Sequence, residues 1–254
     1  GTDIDLECAE KYLLLSADSN NYKAQYMLGK LYQSDSKKDL QKAEKVLIKG
    51  AENAQDKTGL CEYSLGKLYL SQERYDKAAS YLERSAAKDN YYAAYTLGKL
   101  YQEQFNDNTQ AEKYLLQAAD HKDDTMGIAA YRLGKLYLSE NNRRKALQYF
   151  TNAADKDSIP GMYAAGIILL DSRKSTEVSK GIRYLSSAAD KDFEPAIYTL
   201  GKYYSSFNNT KAKEYLKRSA FEYNDPNAQY ILGKVYLSEN KNEMAEKCFR
   251  QCAL

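Results

Sequence analysis

Six lysines directly follow a glycine: Lys30, Lys67, Lys99, Lys135, Lys202 and Lys234. A Gly-Lys pair invites a phosphate cradle, in which backbone N–H groups and an ammonium bind anionic oxygens. That chemistry needs G-x-x-x-x-G-K-[ST] between a strand and a helix, and here the pair sits within a helix-period Leu-Gly-Lys block. Three residues before each of the seven block glycines stands a tyrosine: Tyr26, Tyr63, Tyr95, Tyr131, Tyr163, Tyr198 and Tyr230. Tyrosine and lysine of one block are four apart, so they share a helical face. Such a ladder of amphipathic rings and ammonium groups suits an extended peptide whose carboxylates meet the lysines. The competing reading packs the rings between blocks and leaves the lysines solvated. Recurrence in every block favours packing for the rings, since a core requirement repeats; the lysines lean towards the groove. Leu70, Leu138 and Leu237 are candidate groove pockets or packing residues in equal measure. The candidate binding set is therefore Tyr26, Lys30, Tyr63, Lys67, Leu70, Tyr95, Lys99, Tyr131, Lys135, Leu138, Tyr198, Lys202, Tyr230 and Lys234.

Other chemistry finds little material. The single histidine, His121, lies in a polar connection and is expected to be solvated. Cys61, Cys248 and Cys252 occupy slots held elsewhere by Ala, Tyr or small residues, which makes them core fillers. Cys8 completes the four cysteines, and no two have C-x-x-C spacing. No His/Cys group has metal-ligand spacing, so neither catalytic, metal nor cofactor residues are expected. Reduced thiols favour a cytoplasmic setting. The charged fraction is 28% with a net charge of +2, so nucleic acid is not an expected partner. No apolar run reaches the length of a membrane span.

The elements that carry the ladder repeat. The block glycines are Gly29, Gly66, Gly98, Gly134, Gly166, Gly201 and Gly233, spaced 37, 32, 36, 32, 35 and 32 apart. A second block follows each, anchored at Ala43, Ala78, Ala111, Ala146, Gly181, Ala212 and Ala245, with an extra copy at Ala9. Tyr, Val or Cys lies three after each anchor, Leu or Phe four after, and alanine eight after, preceded by a small residue. These steps mark one helical face. The glycine block predicts a second helix, its glycine kept for close approach with the small pairs opposite. The chain reads as one B helix followed by seven A–B pairs, about fifteen helices, as expected of a repeat array. The half unit covers 1–20 and the repeats cover about 21–54, 55–89, 90–122, 123–157, 158–192, 193–223 and 224–254. Nineteen of the 25 tyrosines fill three repeat slots, so tyrosine richness need not mean base stacking.

The blocks A-Q-Y-x-L-G-K (Ala24–Lys30, Ala228–Lys234) and K-A-x-x-Y-L-x-x-x-A (Lys77–Ala86) resemble Sel1-like repeats, kin to tetratricopeptide repeats. The resemblance covers essentially the whole chain. The terminal small-Ala pairs look like Sel1; the short turns look like tetratricopeptide repeats, whose Trp and inter-unit Pro are missing. The resemblance implies an all-α, right-handed α-α superhelix, a solenoid of antiparallel helix pairs with A helices lining the concave side. It also implies an adaptor or scaffold that binds a protein or peptide segment. The alternatives are a structural segment associating end to end through uncapped termini, or an accessory arm of a larger bacterial protein such as a mobilisation relaxase, whose attached arrays look similar. Gly1 stands where a Met would, and no polar helix follows the last core alanine, so a piece of a longer array is expected. The unit around Gly166, with Ile167 for Lys, Leu169 for Tyr and Gly181 for the anchor Ala, marks either a bend or a functional centre, or reflects sequence drift, and drift is the favoured reading. The connections Glu52–Leu60 and Asp120–Ile128 are longer than their counterparts, and predict either bulges or earlier A-helix starts.

Overall fold

A computed structural model describes residues 3–252 of the chain. They divide into two compact units, the first ending at Asp124 and the second beginning at Thr125. The first holds α1 (Asp3–Asp18), α2 (Tyr22–Gln33), α3 (Leu40–Ala51), α4 (Leu60–Ser71), α5 (Tyr75–Ala87), α6 (Tyr91–Glu103) and α7 (Asn108–Asp120). The second holds α8 (Ile128–Ser139), α9 (Arg143–Asp155), α10 (Ile159–Leu170), α11 (Ser175–Asp190), α12 (Glu194–Tyr204), α13 (Asn209–Glu222), α14 (Pro226–Ser238) and α15 (Asn242–Cys252). No strand occurs among the described residues. Even-numbered helices carry the glycine block, as A helices, and odd-numbered ones the alanine-anchored block, as B helices.

Each A helix packs on the B helix that follows it, and each B helix within a unit packs on the next A helix. The short polar connections make the pairs antiparallel. In the second unit one apolar interior runs without a break from Ala154 through Leu185, Leu200 and Leu216 to Cys248. The first unit has a comparable cluster around Leu28, Ala43 and Leu68.

The block glycines do not face the small-Ala pairs, contrary to the expectation from sequence. Each receives the Leu or Phe four after the anchor on its own B helix. A Cβ on Gly66 would stand 2.6 Å from Leu82 Cγ, and one on Gly134 2.6 Å from Phe150 Cδ1. The small pairs instead admit the start of the next A helix: a Cβ on Gly161 would lie 2.7 Å from Ala153 Cβ. Two separate close approaches therefore recur, one inside each unit and one between consecutive units. The last small pair, Cys252-Ala253, falls partly outside the described residues.

Side chains stop and start the helices. Asn21, Asn90, Asn142 and Ser158 accept backbone N–H groups at helix N-termini. The turns reverse through left-handed residues, mostly Asn and Asp, which adopt that region at small cost. The two longer connections fold inward. Asp56, buried, accepts from the backbone N–H of Thr58, Gly59 and Cys61. Gly59 and Gly127 are left-handed at φ 69° and 63° and lie against the backbones of Ser85 and Ala153, where no side chain fits.

Glu73 breaks the turn rule. Its φ is 58°, where the corresponding turns place Asn141 and Asn240 at 57° and 59°. A left-handed non-glycine residue stores about 1 kcal/mol or more, and Asn less than most. Glu73→Asn is expected to raise stability by about 0.5 kcal/mol, read as a higher midpoint in thermal unfolding by circular dichroism. An unchanged or lower midpoint contradicts the strain at this turn.

Candidate functional site

The tyrosines sort into two layers that the sequence did not separate. Those three after each glycine are core residues: Tyr32, Tyr69, Tyr137, Tyr204 and Tyr236 are buried. Tyr69, Tyr101, Tyr137 and Tyr204 stack on Tyr81, Tyr114, Tyr149 and Tyr215 of the following B helix at 5.4–6.0 Å. The lysine preceding the B-helix anchor covers the ring from outside: Lys42 over Tyr32, Lys77 over Tyr69, Lys145 over Tyr137 and Lys211 over Tyr204. Hydroxyls of this slot donate back to the preceding B helix, Tyr32 to Glu10, Tyr69 to Glu44 and half-buried Tyr101 to Glu83, at 2.6–2.9 Å.

The ladder tyrosines lie further out. Tyr26, Tyr63, Tyr95, Tyr131, Tyr163 and Tyr198 are half-buried and Tyr230 is exposed. They take part in local aromatic contacts, Tyr131 on Phe150, Tyr163 on Phe193 and Tyr230 on Phe249. All six ladder lysines are exposed. Lys30, Lys67 and Lys234 lie over their own Tyr26, Tyr63 and Tyr230 at 5.7, 6.0 and 5.6 Å, the cation–π geometry of an i,i+4 pair. Lys99 reaches Glu103 at 3.7 Å. Among the described residues Lys135, Lys202 and Lys234 have no carboxylate partner.

Three successive A helices of the second unit open onto one groove of 1080 Å³. Its floor is Ile167 and Leu170 from α10, Tyr198 and Tyr203 from α12, Phe207 just beyond it, and Ile231 and Val235 from α14. Its edge carries Lys202, Lys234, Arg143 and Asp171. Arg143 reaches Asp171 at 2.6 Å, which leaves the two lysines as the uncompensated charges. Tyr203 meets Phe207 edge-on at 5.0 Å, and Phe207 remains largely exposed. Of the candidate set, Tyr198, Lys202 and Lys234 line this groove. Leu70 is half-buried and Leu138 exposed, while exposed Leu237 borders a different hollow beside Phe249. The slot four after glycine does contribute, through Leu170 and Ser205. Sequence reasoning missed Tyr203 and Phe207. It marks Ile167 only as one departure of an irregular unit, and the structure shows that this lysine-to-isoleucine exchange supplies an exposed apolar side chain to the groove.

A second hollow, 560 Å³, surrounds the Glu52–Leu60 connection. Here Glu62 takes a slot that holds glutamine in two other units. Gln25 and Gln229 donate to the terminal carbonyls of the preceding B helix, at Ala17 and Ala220. A carboxylate cannot donate, so Arg84 supplies the bond to Ala51 and Lys88 neutralises Glu62 at 2.6 Å. The cluster is a charge-compensated version of the same joint.

His121 is not solvated as expected: its ring is nine-tenths covered, packed on Tyr91 at 5.9 Å, with Asp89 and Asp123 at 3.6 and 3.7 Å. Cys61 and Cys248 are buried and burial pushes both thiols up. Among the described residues no group of three His, Cys, Asp or Glu could hold a metal ion, and no helix is long and apolar enough to cross a membrane.

A profile of the Sel1 repeat matches residues 23–55, 92–123, 127–158, 160–193 and 196–220, more than half of the chain. The chain belongs to the Sel1 repeat family. Profiles of the tetratricopeptide repeat match 60–90 and 226–253, so this Sel1 array grades into its kin at two places. Among solved structures, a Sel1 repeat protein from Oxalobacter formigenes superposes with a TM-score of 0.66 at 21% identity, covering 96% of this chain and 75% of that one. The antigen c5321 of uropathogenic Escherichia coli, with an SLR fold, gives 0.54 at 19%, covering 96% and 63%. YrrB, described as a TPR protein with an unusual peptide-binding site, gives 0.51 at 19%, covering 74% and 96%. These likenesses place the Sel1 chain in the all-α solenoid class. No curated protein matches it in sequence. Sel1 and tetratricopeptide arrays generally mediate protein–protein interaction.

The layered tyrosines set an alkaline limit on this Sel1 array. Burial, then the Glu10 carboxylate, pushes Tyr32 up to about 12; burial, then Asp155, does the same for Tyr184. Burial also raises Tyr63 and Tyr198. A raised phenol stabilises the fold while neutral, so the contribution is complete below the unfolded value of 10.0 and is lost as pH rises through about 12. Phenolate absorbance is expected to show a late class that is released only with unfolding and is reduced by Tyr32→Phe. Absence of any late class in the folded protein contradicts the burial of these phenols.

Proposed function

We propose that this chain is a non-catalytic adaptor that holds a segment of another protein along the α10–α12–α14 face. One observation carries the reading: three consecutive A helices share a groove whose floor is apolar and whose edge is cationic, in the unit where the array's own Lys rule is broken. Apolar walls with a few polar groups at the margin are the usual make-up of a binding groove. The groove is open rather than enclosed, which suits a peptide better than a small molecule. Its tyrosines offer rigid contact area at low entropic cost, and Lys202 and Lys234 offer charge that no carboxylate among the described residues neutralises.

Of the other candidates, Tyr131, Lys135, Leu138 and Tyr230 repeat these slots within the second unit and are proposed as auxiliary contacts there. Tyr26, Lys30, Tyr63, Lys67, Leu70, Tyr95 and Lys99 repeat them on α2, α4 and α6 and are proposed as contacts of the first unit taken by itself.

Selection from a displayed random dodecapeptide library tests this. Enrichment of a shared sequence is expected, with binding reduced at least tenfold by Thr199→Trp, which fills the groove from α12. Absence of any enriched peptide, or enriched peptides indifferent to Thr199→Trp, overturns the groove as the binding face.

A further inference from the structure

Ile167, Lys202 and Lys234 occupy one slot, directly after the glycine, on three successive A helices. All three are exposed and all three line the groove. They therefore form a row, one residue per helix, reading apolar, cationic, cationic. α12 and α14 touch each other, and touching helices stand about 8–10 Å apart. A polyproline-II segment advances about 3.1 Å per residue with three residues per turn, so every third side chain faces the same way about 9 Å further on. The step from Lys202 to Lys234 matches that repeat.

Resting on the groove reading above, we propose that the bound segment is extended and carries two acidic residues three apart, with a bulky apolar residue to one side of them. Leu, Ile or Phe would sit against Ile167, Leu170 and Tyr198. Asp or Glu would meet Lys202 and Lys234. The acidic preference follows from charge complementarity: Arg143 is already paired with Asp171, and neither Lys202 nor Lys234 has a carboxylate of its own among the described residues. The apolar preference follows from the lysine-to-isoleucine exchange, which removes one cation from the end of the row and bares a side chain that is 41% exposed. The row has no intrinsic chain direction, so the same pattern written backwards is admissible.

The test uses the whole chain and fluorescently labelled nonapeptides with Leu at the first position, Glu at the fourth and seventh, and Gly and Ser between, together with the reversed sequence. Fluorescence anisotropy is expected to show saturable binding of at least one of the two. Glu→Gln at both acidic positions, or Lys202→Ala with Lys234→Ala, should weaken it at least tenfold. The decisive variant is Ile167→Lys: it should reverse preference towards a peptide with Glu in place of Leu, by tenfold or more relative to the parent. A structural role for Ile167 alone would weaken both peptides together. Equal binding of the Gln peptide, no reversal by Ile167→Lys, or binding of neither peptide overturns the pattern. If library selection still yields a different sequence lost on Thr199→Trp, the groove reading stands and only this register fails. If selection yields nothing, the groove reading fails with it.

Discussion

The structure depends on one contact made seven times: a helical glycine with no side chain, receiving the Leu or Phe four after the anchor of the paired B helix. Glycine in a helix interior costs roughly 1 kcal/mol against alanine. Here that cost is offset because the helices approach closely enough for the large side chain to be fully buried, as Leu47, Leu82, Leu115 and Phe150 are. A Cβ in any of these places would overlap it. The second recurring approach, between a small-Ala pair and the next A helix of the same compact unit, then passes the geometry from one helix pair to its neighbour.

Once those two approaches define the backbone, the outward slots of the A helices are released from folding duty. That division explains the behaviour of tyrosine. The inner layer is tied to a B-helix tyrosine, a lysine over its ring and an acidic acceptor behind it. The outer layer has room for an aromatic neighbour and a lysine from the same helix. Variation can enter only where no such partner exists, and it enters at Ile167, in the slot that is lysine in the other six units. The result is a face that is uniform in spacing and particular in chemistry, as a protein-binding solenoid requires.

Much of this was legible in the sequence. The glycine period gave the repeat, and the steps of three, four and eight identified the B-helix face. The partner of the glycine was not legible, because the small pairs and the Leu/Phe slot recur with the same period, and a period alone cannot say which of two slots lies opposite. His121 was misplaced for a related reason: polar neighbours in sequence suggested solvent, while packing on Tyr91 comes from thirty residues earlier. Tyr203 and Phe207 escaped notice, and Ile167 was given no groove role, because attention to regularity favours the slots that repeat, and the groove is built where α10 and α12 depart from the pattern. Glu62 shows the reverse. Its Gln-to-Glu exchange looks like a charge placed for chemistry, and the structure absorbs it into a joint with Arg84 and Lys88.

The central claim, that glycine contacts hold the array while the outward row is free for binding, is tested most directly by thermal unfolding of two matched double variants. Lys202→Ala with Lys234→Ala changes the outward row of α12 and α14; Gly201→Ala with Gly233→Ala changes the inward contact of the same helices. The account predicts a midpoint within about 2 °C of the parent for the lysine variant, as for surface changes in general, and a clear loss for the glycine variant, in spite of alanine's better helix propensity. A glycine variant as stable as the parent, or a lysine variant that unfolds with it, would contradict the account.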